Sequence, residues 1–242
     1  MADSREPMTD ERPEGGRETP RHGYQGDRRP VTPPPGRPRA LTVAVSREAG
    51  ARGGTIARRA AWKLGWQVYN QELLEYIAQE GTYRQDVVDH LPPPTAHWVE
   101  ERLDRLLREE ALGRHPSILN LARVVLALGA EGEVVLIGRG AGFILPREST
   151  LHVRIIAPLA DRVAYLGEWL RLSPEEAAEQ VRLRDQRRAE FIAAHFHRQA
   201  SAVYQYDLLL NSRLLGEDLC ADLIAAAARA KLSQVAPGPA RP

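Results

Sequence analysis

The stretch LTVAVSREAGARGGTIARRAAWKLG, residues 41–65, decides the fold of this chain. Residues 41–45 are mostly apolar and predict a buried strand, and the helical spacing of apolar side chains from Ile56 to Leu64 predicts an amphipathic helix. Gly65 follows that helix as a C-cap. The glycine-rich turn between strand and helix leaves backbone N–H groups free at the positive end of the helix dipole. The stretch therefore predicts a phosphate-binding loop.

The loop departs from the standard phosphate-loop motif, G-x-x-x-x-G-K-[ST], at its lysine. Thr55 stands at the hydroxyl position, which holds Mg²⁺ in that motif, but Gly53 or Gly54 stands at the lysine position. The chain has two lysines, and both lie outside the loop. Arg47 or Arg52 can supply the missing positive charge as a planar fork. The alternative interpretation is a tight strand-to-helix turn that binds nothing.

The composition is that of a globular protein of 242 residues, and its net charge of +1 gives no overall field for nucleic acid. We therefore expect no nucleic-acid partner. The single cysteine, Cys220, excludes an internal disulfide and a cysteine-based metal site. The N-terminus has no apolar signal region and no stretch is apolar enough to span a bilayer, so a cytoplasmic protein without a membrane partner is expected. The four tryptophans are interpreted as core or helix-packing residues.

Residues 1–40 contain eight prolines and five glycines and predict a disordered tail, as do residues 233–242. The remaining chain, residues 41–232, alternates predicted strands with predicted helices. The strands are expected over 41–45, 66–69, 133–137, 151–156 and 207–211. Residues from about 70 to 130 read as helices only, one of them capped by Thr95, and predict a helical insert. This order predicts an α/β fold, a three-layer domain with a mostly parallel sheet and a helical insert.

Charged residues follow two of these elements at places where a ligand can meet them. Arg139 follows the strand over 133–137, and the carboxyl ends of such strands line the crevice in which open α/β sheets bind ligands. A helix over about 173–196 begins at the capping box Ser-Pro-Glu-Glu. It carries a cluster made of Arg182, Arg184, Asp185, Arg187 and Arg188. The cluster fits a lid over a triphosphate or, alternatively, a solvated face paired within the helix.

Five segments carry a pattern in a fixed order. They are V-S-R-E-x-G-x-x-G-G at 45–54, I-G-R-G-A at 137–141, R-I-I-A-P-L-x-x-R at 154–162, Asp185-x-x-Arg188 and Y-D-L-L-L-N at 206–211. Over about 41–231 the chain thereby resembles the cytidylate kinase-like family. The resemblance implies a three-layer P-loop NTPase-type domain with a nucleoside monophosphate kinase fold. It also implies transfer of the γ-phosphoryl group of ATP, with Mg²⁺, to CMP or dCMP.

The resemblance also implies roles for single residues. The nucleotide-binding set, in which Thr55 would also hold the metal, is Ser46, Arg47, Gly50, Gly53, Gly54 and Thr55, with Arg52 as the further loop charge. The set assigned to the acceptor site and the lid, and so to catalysis, is Arg139, Arg162, Asp185 and Arg188.

Three features of these motifs bear on function. The lysine is missing, as it is from the family's own S-R-E-x-G-x-G-G loop, and Arg52 is interpreted as an insertion in that loop. Gly140 stands where cytidylate kinases carry an acceptor-binding aspartate. A second hypothesis is therefore a catalytically weak or inactive nucleotide-binding sensor or partner module. A third is another small phosphorylated or hydroxylated acceptor, because Gly140 opens the base pocket. The oligomeric state is left open.

Overall fold

The computed structural model describes residues 38, 40–88 and 90–234. The predicted tails, residues 1–40 and 233–242, lie outside the described residues except for 38, 40, 233 and 234. None of the described helices is both long and apolar enough to cross a membrane.

Strands and helices alternate along the described chain. In order, they are β1 (Thr42–Arg47), α1 (Gly53–Leu64), β2 (Gln67–Tyr69), α2 (Gln71–Gln79), α3 (Gly81–Val88), α4 (Pro93–Arg108), α5 (Pro116–Glu131), β3 (Val134–Ile137), α6 (Ala141–Ile144), β4 (Thr150–Ile156), α7 (Leu159–Leu170), α8 (Pro174–Phe196), β5 (Leu208–Asn211) and α9 (Ser212–Leu232). Short 3₁₀ turns precede β4 and β5.

The strands form one parallel sheet in the order β2-β3-β1-β4-β5. The predicted α/β fold with a helical insert is confirmed, because α2–α5 lie between β2 and β3. The connections that leave β1 and β4 run in opposite directions along the sheet, so a crevice opens at the carboxyl ends of these two strands.

Side chains alternate between the two faces of β1, and each face has its own core. Val43 and Val45 pack with α1 and α9, where Cys220 is buried, whereas Ala44 packs with the helical insert, α6 and α8. The interpretation of the tryptophans as packing residues is wrong for two of them, since Trp62 is 83% and Trp169 is 64% exposed.

Helix ends follow the local sequence in most places and depart from the expected cap at Thr95. Asn70 caps α2, and Ser173 caps α8 through the reciprocal capping box that the sequence predicts. Thr95 caps nothing, because α4 begins earlier at Pro93, whose fixed φ suits the first helical turn. The last helix begins at Ser212, capped by Asn211, and is interrupted at Gly216.

Shortening a buried side chain in the core between the helical insert and the sheet tests how tightly these two layers pack. Leu126→Ala removes a fully buried side chain from α5 and is expected to cost about 2 to 5 kcal/mol of unfolding free energy. Leu219→Ala, at a position that is 48% exposed, is the matched control and should cost about 0.5 kcal/mol or less. Urea unfolding of both variants measures the difference. Equal losses would contradict the burial of Leu126.

Candidate functional site

A cavity of about 520 Å³ lies at the carboxyl ends of β1, β3 and β4, beneath α8. Its walls include five of the residues expected in the site, namely Ser46, Arg47, Arg139, Asp185 and Arg188. The other expected residues lie outside these walls and are Gly50, Arg52, Gly53, Gly54, Thr55 and Arg162. The structure therefore divides the expected site into a cavity and the loop beside it.

Arg47, the last residue of β1, is a charge of the cavity wall that no carboxylate neutralises by direct contact. Desolvation lowers the pKa of Arg47 to about 10, and the positive charge of Arg188 acts in the same direction, while the negative charge of Glu72 opposes it. Within the described part of the chain, Arg47 forms no ion pair. A guanidinium that is desolvated and lies beside a second cation is stabilised when an anion binds next to it.

Two further arginines surround that position. Arg188 of α8 donates from Nη1 to the carbonyl oxygen of Arg47 at 3.5 Å and lies 3.7 Å from Asp185, and burial lowers its pKa. Arg139 forms an ion pair with Glu75 and stacks at 4.6 Å on the ring of Phe191. Since Glu75 belongs to α2 and Phe191 to α8, Arg139 joins the helical insert to the predicted lid helix.

The turn after β3 holds Arg139 in an unusual backbone conformation. Gly138, Arg139 and Gly140 have φ values of 82°, 50° and 70°, all in the left-handed region that favours glycine. A Cβ atom on Gly138 would collide with the guanidinium of Arg47, and one on Gly140 would collide with the ring of Phe196. Phe196 is buried, so the space that Gly140 was expected to open is filled by an aromatic ring.

Arg162 and Asp185 fasten the glycine-rich loop. Arg162 donates from Nη1 to Asp185 at 2.5 Å and to the carbonyl of Ala49 at 3.2 Å. Asp185 accepts the N–H of Ala49 at 2.7 Å on its other oxygen. A Cβ on Gly50, where φ is 77°, would collide with the backbone carbonyl of Arg162. These contacts fix the loop between β1, α7 and α8, and a catalytic role for either residue stays a prediction.

Residues Gly53, Gly54 and Thr55 form the first turn of α1, where backbone N–H groups have no acceptor within the helix. A Cβ on Gly53 would lie 2.6 Å from Cβ of Arg47. The free N–H groups are therefore adjacent to the stem of the arginine that enters the cavity.

Arg52 precedes α1 with a φ of 58°, in the left-handed region that favours glycine. Its interpretation as an insertion in the loop stays a prediction. Its guanidinium lies 4.7 Å from the ring centre of Tyr165 and 3.7 Å from Glu217, on the side of α7 and α9.

Arg58 was missed from the sequence, although it lies three residues after Thr55 and so on the same helix face. Its guanidinium donates to the hydroxyl of Thr55 at 3.5 Å. A cation beside this hydroxyl disfavours a protein-held Mg²⁺ there, and the described residues contain no group of three metal-ligating side chains. Thr55 as a metal ligand stays a prediction that this contact disfavours.

His152 in β4 was also missed, and it lines the cavity floor opposite Ala44. Its Nδ1 lies 3.0 Å from the carbonyl oxygen of Gln205, and its ring packs against Phe143 and Tyr206. Burial lowers the pKa of His152 to about 4. The ring is therefore neutral at neutral pH. The sequence signal was a polar residue at a core-facing position of a strand.

Comparison with known proteins gives a family match over most of the described chain. The model of the cytidylate kinase-like family matches residues 42–214. Among curated proteins, a uronate isomerase of Corynebacterium glutamicum is 33% identical over 102 residues. The matched residues make up 42% of this chain and 20% of the isomerase, so the chain spans about a fifth of that protein's length.

The solved structures that match the chain include the following two. An uncharacterized protein of Eubacterium ventriosum is 17% identical, with a TM-score of 0.55 over 78% of this chain and 98% of its own, so the two share a fold. A shikimate kinase of Bacteroides thetaiotaomicron is 13% identical over 80% of this chain and 98% of its own, with a TM-score of 0.41.

The fit of Phe196 over Gly140 can be separated from backbone strain. Gly140→Ala meets both a left-handed φ and the ring of Phe196, and we expect a loss of about 3 to 5 kcal/mol of unfolding free energy. Gly65→Ala has a similar backbone conformation, with φ of 73° and ψ of 24°, and open space around it, so it should lose about 1 to 2 kcal/mol. Chemical denaturation compares the two. Equal losses would show that Phe196 leaves room at position 140.

The neutral state of His152 makes stability depend on pH. Its pKa is about 4 in the folded chain against 6.5 ordinarily, so protonation favours the unfolded chain. The stabilisation is fully present above pH 6.5 and is lost as pH falls towards 4, by about 3 kcal/mol at most. Urea unfolding at several pH values should show this loss in the wild type and in His97→Gln, an exposed control. It should be absent from His152→Gln, and its persistence there would contradict the assignment.

Proposed function

The chain belongs to the cytidylate kinase-like family, and we propose that it transfers the γ-phosphoryl group of ATP to CMP, dCMP or a related phosphorylated acceptor. The observation that carries this proposal is the arginine cavity around Arg47. A partly buried guanidinium with cationic neighbours and no ion pair among the described residues is suited to a dianionic phosphate.

In this proposal the acceptor lies in the cavity. Arg47 and Arg188 would donate paired N–H groups to the oxygens of its phosphate. Arg139 would contribute charge from its place between Glu75 and Phe191, so that acceptor binding engages the helical insert and α8 together. These guanidinium groups replace the water that an anion gives up on entering the cavity.

The donor nucleotide would lie at the first turn of α1. The N–H groups of Gly53, Gly54 and Thr55 would bind its phosphates at the positive end of the helix. Arg58 and Arg52 flank this turn and would supply the charge that the missing lysine supplies elsewhere. Mg²⁺, which commonly binds through substrate phosphates and water, would arrive with the nucleotide and neutralise its charge.

The chemistry needs positioning more than a covalent catalyst. An acceptor phosphate oxygen attacks the γ-phosphorus, the bond from that phosphorus to the β-bridging oxygen breaks, and ADP leaves. This chain's contribution is to hold the two phosphates at a fixed separation. The contact of Gly53 with Arg47, and the fastening of the loop by Arg162 and Asp185, support that role.

A second candidate is a nucleotide-binding sensor on the same fold. Glycine at the lysine position favours it, as does the ion pair that Arg139 forms with Glu75. This candidate predicts saturable ATP binding without release of ADP above background.

Release of ADP from ATP and Mg²⁺ tests the proposal with CMP, dCMP, UMP, AMP, GMP or no acceptor. We expect release that depends on CMP or dCMP. Arg47→Gln should lower kcat/KM for the acceptor about 100- to 1000-fold because one group that stabilises developing charge is lost. Its ATP dissociation constant should change little.

Arg182→Ala is the matched control, because Arg182 lies on α8 with Arg188 but is exposed and paired with Glu179. Its activity should equal that of the wild type. Unchanged turnover in Arg47→Gln would contradict the acceptor site, and ATP binding without acceptor-dependent release would favour the sensor.

A further inference from the structure

The inner part of the cavity is built differently from its arginine-lined mouth. Along β1, Arg47 lies at the carboxyl edge of the sheet and Ala44 three residues further in, a separation of about 10 Å along a strand. His152 is the register partner of Ala44 on β4. Both residues line the cavity, and His152 is 7% and Ala44 1% exposed, so the imidazole meets the cavity over a small part of its surface.

The hydrogen bonds of His152 assign its tautomer. A carbonyl oxygen only accepts, so the contact of Nδ1 with Gln205 at 3.0 Å requires the proton on Nδ1. Nε2 then carries a lone pair and can only accept. Among the residues that the structure describes, none donates a hydrogen bond to Nε2.

The ring is also fixed in orientation. It lies at 85° to Phe143 with 5.3 Å between ring centres, and at 4.6 Å from the ring of Tyr206. Gly142 packs against it so closely that a Cβ there would collide with the imidazole. A rigid ring with one unused acceptor in a cavity wall can distinguish a ligand that donates from one that does not.

We propose that His152 is a specificity-determining residue, whose Nε2 accepts a hydrogen bond from an exocyclic amino group at the end of the acceptor remote from its phosphate. The proposal rests on the proposed function for the placement of the phosphate at Arg47. A nucleoside monophosphate carries its phosphate and base on opposite sides of the ribose, so one molecule can contact both Arg47 and His152, which line the same cavity. An amino-bearing pyrimidine is then preferred over one with an oxo group at the same position, whose lone pairs would face that of Nε2.

The experiment measures equilibrium binding of CMP and UMP to the full-length chain by calorimetry, beside ADP release with each. Wild type should bind CMP at least about tenfold more tightly than UMP, the value of one hydrogen bond between neutral groups. His152→Asn keeps a donor for Gln205 but loses the acceptor at the Nε2 position. It should weaken CMP binding about tenfold and leave UMP binding within about threefold.

His152→Gln is the rescue variant, because its side-chain oxygen can reach the position of Nε2, and it should keep the preference for CMP. Melting temperatures of both variants verify that they fold. A preference for CMP that His152→Asn removes supports the proposal even if no ADP is released, an outcome that contradicts only the phosphotransfer. Equal weakening of CMP and UMP, an unchanged preference in His152→Asn, or no binding of either nucleotide by the wild type would overturn it.

Discussion

The carboxylate of Asp185 is the contact on which the rest of the site depends. One of its oxygens holds the N–H of Ala49 and the other holds Arg162, so a residue of α8 fixes the loop that leaves β1. That loop sets the direction in which Arg47 enters the cavity and the place where Gly53 begins α1. A loop rich in glycine is costly to order, and these bonds offset the cost with contacts to charged groups, which are stronger than neutral ones.

The carboxylates of the site are distributed unevenly among its arginines. Glu75 forms an ion pair with Arg139, and Asp185 forms one with Arg162. Glu48 lies between Arg154 and Arg162 and pairs with both. Arg47 forms no ion pair in the described chain, although the charge of Glu72 acts on it. The cavity therefore has a local positive charge although the chain as a whole is almost neutral, which explains why net charge gave no indication of an anion site.

Features that depend on neighbours in sequence could be predicted, and features that depend on neighbours in space could not. The buried strands, the cap at Asn70 and the capping box at Ser173 follow from patterns a few residues long. Phe196 lies 56 positions after Gly140, and no local pattern brings them together. The sequence alone indicates only that His152 lies in a buried strand. Its tautomer is fixed by Gln205, which is distant in sequence. Trp62 was predicted to be a packing residue because it is large and apolar, but it is exposed, as single large apolar residues sometimes are.

The contact between Gly140 and Phe196 constrains how this family can diverge. A side chain at 140 requires that the ring at 196 become smaller or move, and a smaller residue at 196 leaves a void above Gly140. Either change alone passes through a destabilised intermediate. The two positions should therefore change together along a lineage, so that an aspartate at 140 arises only in chains whose α8 ends without a large aromatic residue.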